Sequence, residues 1–223
     1  MPDVPHTPVI ELLPEQGPPK QLFILLHGLG ASASSMLPLA VILRQHFPDA
    51  AVLMPEGFQP YEGVGHGGQW FSVLNMKDGE RAERVGQSLP LLEDFVRRAQ
   101  TRFGLSGDET AIAGFSQGAI MALELTVAHD GLVGRVLAFS GRFAQLPNRA
   151  PELTTLHLFH GEDDAIMPVQ LVRAGYTHLA ERQADATLDV ASEVGHVLHP
   201  VLIDRAVHRL QTCIPLRVWR KAL

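Results

Sequence analysis

The chain has 223 residues, of which 46% are hydrophobic, and its formal net charge is −6. This composition provides for one large core, and the negative charge argues against a nucleic-acid-binding protein, which usually has a basic face. No run of about 18 apolar residues occurs, so we expect no membrane span. Cys213 is the single cysteine, which excludes an intrachain disulfide, and the first six residues do not resemble a secretory signal. We therefore expect a cytoplasmic location.

Apolar runs alternate with helix-like stretches along the chain, a pattern typical of a mostly parallel sheet with helices on both faces. The expected strands are residues 9–13, 22–26, 51–54, 110–113, 136–139, 156–159 and 188–192. The expected helices are residues 35–47, 79 or 80–103, 117–129, 168–182 and 201–211. Pro90 predicts a kink or a break in the second helix, and Gly104 predicts its C-cap. With no internal repeat or linker, residues 1–223 are expected to form a single domain.

The motif Gly114-Phe115-Ser116-Gln117-Gly118 lies between a predicted strand and a predicted helix. In that context Gly-x-Ser-x-Gly is typical of a nucleophile elbow, a tight turn that exposes a serine hydroxyl at the edge of a sheet. Glycine at both ends of the motif permits the strained turn and the close packing of helix on strand. The alternative is that Ser116 is an ordinary turn serine or a helix N-cap.

Acidic and histidine side chains follow later strands, at the sheet edge where ligands of open α/β sheets gather. Asp163 and Asp164 follow strand 156–159, and His196 follows the last strand. Serine, aspartate and histidine in this chain order are typical of α/β-hydrolases. A histidine can take the serine proton while a carboxylate holds it in the correct tautomer. We predict Ser116 as nucleophile, His196 as base and Asp164 as acid, with Asp163 as the alternative acid.

Other histidines lie near the same edge. His199 is an alternative to His196, but it precedes a proline and is expected at the start of the last helix. His27 and His160 also follow strands, and we interpret them as residues that orient loops through hydrogen bonds. Negative charge developing on a substrate oxygen needs preplaced donors, for which we predict the backbone N–H groups of Leu29 and Gln117.

A second glycine motif allows a different interpretation. Gly28-x-Gly30-x-x-Ala33 follows a predicted strand and Glu56 follows the next one, an order that resembles a dinucleotide-binding fingerprint. A dinucleotide site would leave the serine motif unexplained, so we expect no cofactor. The glycine-rich residues 63–68 lack the ending of a phosphate-binding loop, and we interpret them as a flexible loop over the site. No His-Glu-x-x-His or Cys-x-x-Cys spacing occurs, so no metal site is expected.

Taken together, these motifs resemble the phospholipase/carboxylesterase family of α/β-hydrolases, and most closely its predicted bacterial serine esterases. The resemblance covers residues 22 to about 210. It depends on Leu26-His27-Gly28-Leu29-Gly30, Gln69-Trp70-Phe71, Gly114-Phe115-Ser116-Gln117-Gly118-Ala119, His160-Gly161-Glu162-Asp163-Asp164 and Gly195-His196. It implies an α/β-hydrolase fold without a large lid domain and hydrolysis of small or soluble carboxylic esters, with thioesters as the alternative. Family members are often homodimers, although this sequence shows no clear interface.

The resemblance also implies residue roles. The family's acid segment reads His-Gly-Asp-x-Asp-Pro, and its catalytic second acid matches Asp164. Ala165 replaces the proline, which leaves Asp163 open as the acid. Trp70 and Phe71 match an aromatic pair near the family's substrate cleft, with core packing as the alternative. Because a fold does not fix a function, a non-catalytic binding module is a second hypothesis, and it would lack a member of the triad.

Overall fold

The computed structural model describes residues 7–77 and 79–218. The six N-terminal residues, on which we expected no secretory signal, lie outside this part of the chain. The strands are β1 (Val9–Leu12), β2 (Gln21–Leu26), β3 (Ala50–Pro55), β4 (Gln59–Pro60), β5 (Gly68–Gln69), β6 (Thr110–Phe115), β7 (Arg135–Phe139), β8 (Thr155–Gly161) and β9 (Ala186–Ala191). Strands β4 and β5 pair with each other, and the rest form a seven-stranded sheet in the order β1-β3-β2-β6-β7-β8-β9. Only the β1–β3 pairing in that sheet is antiparallel.

In the described part of the chain, five α-helices cover the two faces of the sheet. They are α1 (Leu37–His46), α2 (Arg81–Phe103), α3 (Gln117–Ala128), α4 (Val169–Glu181) and α5 (Pro200–Thr212), and a short 3-10 helix, Ala33–Met36, precedes α1. Helices α2, α3 and α4 pack in one buried apolar cluster, and α1 and α5 pack in another. The fold is therefore the predicted α/β-hydrolase sheet with helices on both faces, and residues 7–77 and 79–218 contain no large additional domain.

Strand β2 shows why its sequence is continuously apolar. Leu22, Ile24 and Leu26 point into the cluster with α2, α3 and α4, whereas Phe23 and Leu25 point into the cluster with α1 and α5. Successive side chains of a strand alternate between its two faces, so a strand covered on both sides needs apolar residues at every position.

The break that Pro90 allowed in helix α2 does not occur, and the alternative of a kink stays a prediction. This helix continues without a break through Pro90, which lacks the N–H that would bond to the carbonyl of Gly86. Pro90 and Gly86 are both exposed, so that carbonyl can be solvated and the cost of the missing bond is reduced. The predicted C-cap is confirmed, because Gly104 has a left-handed φ of 68° at the end of α2. Within the described ranges, no helix has the length and apolarity needed to cross a membrane.

Candidate active site

Ser116 occupies the turn between β6 and α3, with φ 54° and ψ −113°. A non-glycine residue in such a conformation stores about 1–3 kcal/mol of strain and needs strong support from its surroundings. The Ser116 N–H donates to the Phe139 carbonyl on the neighbouring strand, at 2.9 Å. A Cβ on Gly114 would lie 2.3 Å from the backbone carbon of Gly118, and a Cβ on Gly118 would lie 2.3 Å from the Leu26 carbonyl oxygen. The strand, the turn and the helix are therefore too close for a side chain at either glycine.

The structure brings Ser116, His196 and Asp164 into one chain of hydrogen bonds. His196 Nε2 lies 2.9 Å from Ser116 Oγ, and His196 Nδ1 lies 2.7 Å from Asp164 Oδ2. Because an ionised carboxylate only accepts, Nδ1–H donates to Asp164, which leaves Nε2 free to accept from the serine hydroxyl. The Phe115 ring lies 4.9 Å from the His196 ring and limits its movement on one side.

The carboxylate in this series of hydrogen bonds is that of Asp164. The side chain of Asp163 is exposed and has no hydrogen bond within the described parts of the protein. Asp164 is 4% exposed. Its Oδ1 accepts from the backbone N–H groups of Ile166, at 3.0 Å, and Met167, at 2.7 Å. These two bonds hold the carboxylate so that Oδ2 faces His196.

The loop after β2 passes beside the serine. A Cβ on Gly28 would lie 3.5 Å from the Ser116 Cβ. The backbone N–H of Leu29 and that of Gln117 have no acceptor among the hydrogen bonds of residues 7–77 and 79–218. Both amides that the sequence predicts as oxyanion donors are therefore available for a ligand.

The Gln117 side chain joins the turn to a distant loop, a contact that the sequence did not indicate. Its Oε1 accepts from the Trp70 N–H at 2.8 Å, and its Nε2 donates to the Phe71 carbonyl at 2.7 Å. The Trp70 indole N–H in turn donates to the His27 carbonyl at 2.8 Å. The side chains of Trp70 and Phe71 are 0% and 1% exposed. The interpretation of Trp70 and Phe71 as cleft residues is therefore not supported, because buried side chains present no surface to a substrate.

His27 holds the loop after β2 in the way the sequence predicts. Its Nε2 accepts from the Gly57 N–H at 2.9 Å, and its Nδ1 lies 2.8 Å from the Gly28 carbonyl, so Nδ1 carries the proton. Burial lowers the pKa of His27, which keeps the ring neutral. Residues 63–68 pack against the same loop, since the Gly68 N–H donates to the Ala31 carbonyl and the Gly30 N–H to the Gly68 carbonyl. The Gly30 N–H is therefore not available to a dinucleotide phosphate.

The remaining predicted histidines have structural contacts. His160 is fully buried, and its Nε2 lies 2.7 Å from the Met167 carbonyl and 3.4 Å from Asp164 Oδ2. Burial lowers the pKa of His160, which favours a neutral ring. This ring supports the loop that carries Asp164. His199 caps α5, where its Nδ1 accepts from the Val201 N–H. In the described parts of the chain, no three histidine, cysteine, aspartate or glutamate side chains are grouped as metal ligands.

The sheet order and the strained serine turn place this protein among the α/β-hydrolases. Comparison with known families makes the assignment narrower. The chain belongs to the phospholipase/carboxylesterase family, whose sequence model matches residues 8–214. The resemblance inferred from the motifs is thereby confirmed.

Individual relatives agree with this assignment. The chain is 37% identical over 206 residues to Esterase YpfH of Escherichia coli (strain K12), covering 92% of this chain and 88% of the relative. It is 29% identical over 171 residues to Acyl-protein thioesterase 1 of Saccharomyces cerevisiae, covering 69% and 74%. The crystal structure of esterase PE8 matches with a TM-score of 0.83 and 25% identity, covering 93% of this chain and 98% of that structure. The protein is therefore a hydrolase of the esterase or thioesterase type.

Proposed function

We propose that this protein hydrolyses carboxylic esters through an acyl-enzyme formed on Ser116. The observation that carries the proposal is the hydrogen-bonded chain from Ser116 Oγ through His196 to Asp164 Oδ2. A serine hydroxyl is a weak nucleophile at neutral pH, and a neutral imidazole at 2.9 Å can take its proton as the bond to the substrate forms.

The residues would act in two half-reactions. Ser116 Oγ attacks the ester carbonyl carbon while His196 Nε2 takes the hydroxyl proton, and the negative oxygen faces the N–H groups of Leu29 and Gln117. The tetrahedral intermediate collapses, and His196 gives its proton to the departing alcohol. Water then attacks the acyl-enzyme with His196 again as base, and the carboxylic acid leaves from Ser116.

Exposed apolar side chains next to the site support a substrate with a small apolar part. Leu29 is 37% exposed, Ile166 is 72% exposed and Val197 is 48% exposed. Each lies within two residues of a group in the proposed mechanism. An apolar rim made of a few side chains favours short acyl or alcohol groups over long lipid chains, because only apolar area removed from water contributes to binding.

Thioester hydrolysis is a second candidate, favoured by the similarity to the yeast acyl-protein thioesterase. Both reactions pass through the same acyl-enzyme and differ in the leaving group. Kinetics on a matched pair of oxygen and sulfur esters of the same short acyl group would rank the two functions.

The direct test is covalent labelling with a fluorophosphonate, followed by peptide mapping. We expect the label on Ser116, and we expect Ser116→Ala to lose labelling and about 10³-fold or more of its activity on a short-chain chromogenic ester. Ser106→Ala is the matched control, since this exposed serine precedes β6 at the opposite edge of the sheet. A folded protein that remains unlabelled at Ser116 would contradict the proposal and favour a binding module.

A further inference from the structure

The chain makes an unusual turn where it leaves β7, beside the serine. Ser140 has a φ of 48°, in the left-handed region, and its N–H donates to the Phe159 carbonyl at 2.8 Å. A Cβ on Gly141 would lie 2.4 Å from the Ala119 Cβ and 3.3 Å from the Ser116 carbonyl oxygen. Non-glycine residues with positive φ concentrate at functional sites. This turn carries the following residue, Arg142, past the first turn of α3.

Arg142 is a half-buried cation that has no partner in the described structure. Its Nε is buried without a hydrogen-bond acceptor, and none of the ion pairs among residues 7–77 and 79–218 includes its guanidinium. By contrast, the exposed Arg173 pairs with Glu162. A guanidinium stays charged at all physiological pH values, and a buried donor without an acceptor costs free energy. Arg142 is therefore ready to bind an anion.

Resting on the proposed esterase function, we infer that Arg142 binds a carboxylate of the substrate. The preferred ester then carries one negative charge, on either its acyl or its alcohol part, besides the short apolar part that meets the rim. The fork of the guanidinium can donate two parallel bonds to a carboxylate, which fixes orientation as well as charge.

The net charge of the molecule bears on how an anionic substrate would bind. A protein with a net charge of −6 repels an anionic substrate at a distance. In about 0.1 M salt this repulsion is screened within about 10 Å, so a nearby arginine determines whether the anion binds. Asp163 leaves an exposed carboxylate at the same sheet edge, which increases the need for a compensating cation.

Paired esters test the inference. On the acyl side, para-nitrophenyl hexanoate is compared with the mono-para-nitrophenyl ester of adipic acid, and on the alcohol side phenyl acetate is compared with meta-acetoxybenzoate. We expect the wild-type protein to prefer the charged member of one pair. We expect Arg142→Met to lower kcat/KM for that ester by about 10- to 100-fold and to change the neutral ester by less than about threefold. Arg142→Lys should restore part of the loss, because it keeps the charge and loses the fork.

Arg149→Met is the control, because it removes the same charge from an exposed arginine before β8, at the opposite edge of the sheet. In both ester pairs, Arg149→Met should leave the ratio of kcat/KM for the charged ester to kcat/KM for the neutral ester unchanged. Equal losses on charged and neutral esters in Arg142→Met would make Arg142 a structural residue and overturn the inference, with the esterase proposal intact. The same conclusion follows if the wild type prefers neither charged ester and Arg142→Met changes no ratio. If the wild type hydrolyses none of the four esters, the proposed function is wrong, and this inference fails with it.

Discussion

Two adjacent carboxylates, Asp163 and Asp164, have opposite environments. Asp164 is buried, accepts two backbone N–H bonds through Oδ1 and faces His196 through Oδ2. Asp163 is exposed. The two residues lie in the turn after β8, where the N–H groups of Ile166 and Met167 hold the Asp164 carboxylate inward. The contrast provides an internal control for the role of the acid.

Replacing each acid by its amide separates the two roles. Asp164→Asn removes the charge that favours the imidazolium and permits the wrong tautomer of His196, so we expect kcat to fall by about 10³- to 10⁴-fold. Asp163→Asn should change kcat by less than about twofold, as expected of an exposed side chain without partners. Steady-state kinetics on a short-chain ester, with thermal melting to verify folding, measure both. A larger loss in Asp163→Asn would contradict the geometric assignment.

The sequence predicts which residues lie at the sheet edge more readily than it predicts their contacts with distant loops. Ser116, Asp164 and His196 each follow an apolar run, and parallel strands bring such positions to one edge. The bonds of the Gln117 side chain to residues 70 and 71 span 47 and 46 positions. No local periodicity encodes such a bond, because it depends on how the loop after β5 lies over the turn.

At the scale of elements, β6 and α3 form one unit with the turn between them. The expected strand ended at residue 113, whereas β6 continues to Phe115, since Gly114 pairs with Ala138 and Phe115 with Phe139. Glycine weakens strands, but at Gly114 the pairing with a neighbour on each side overrides that preference. The extension places Ser116 directly at the end of a hydrogen-bonded strand.

Glycine-to-alanine changes in two helices should have opposite effects. A Cβ at Gly118 would lie 2.3 Å from the Leu26 carbonyl oxygen, so Gly118→Ala must displace α3 from β2. We expect a loss of about 1–3 kcal/mol in the free energy of unfolding, and about 100-fold or more in kcat because the turn moves with the helix. Gly86 lies in α2, is exposed and has open space around a Cβ, so Gly86→Ala should stabilise the protein by about 0.5–1 kcal/mol.

Denaturant unfolding and ester kinetics on both variants provide the test. Unchanged kcat in a stable Gly118→Ala protein would mean that the turn tolerates a shift of α3. It would also mean that close packing of α3 on β2 is not required for activity.

At the scale of the whole molecule, a partly buried polar cluster connects three strands to the end of α5. His157 on β8 has Nδ1 2.8 Å from Thr187 Oγ1 on β9 and Nε2 3.1 Å from Arg135 Nη1 on β7. Arg135 also donates to the carbonyl of Cys213, which follows α5. Because Arg135 only donates, His157 Nε2 must accept, so the ring is neutral with its proton on Nδ1.

Protonation of His157 should destabilise the fold in acid. Burial, followed by the positive charges of Arg135 and Arg209, lowers the pKa of His157 from 6.5 to about 3, and Asp189 opposes this only in part. Between these two pKa values the unfolded chain binds a proton that the folded chain excludes, so the free energy of unfolding falls as pH decreases from 6.5 towards 3. This residue alone should account for a loss of about 3 kcal/mol between pH 7 and pH 4.

A difference between variants isolates this contribution from the titration of other groups. His157→Gln can still accept from Arg135 and donate to Thr187, and it cannot gain a proton, so its unfolding free energy should vary less with pH than that of the wild type. His208→Gln, which changes an exposed histidine on α5, should keep the wild-type dependence. Denaturant unfolding of the three proteins at pH 7, 5.5 and 4 measures the slopes. If the slope of His157→Gln equals that of the wild type, His157 takes up its proton equally in the folded and unfolded protein, and this would contradict a neutral ring held by the bond from Arg135.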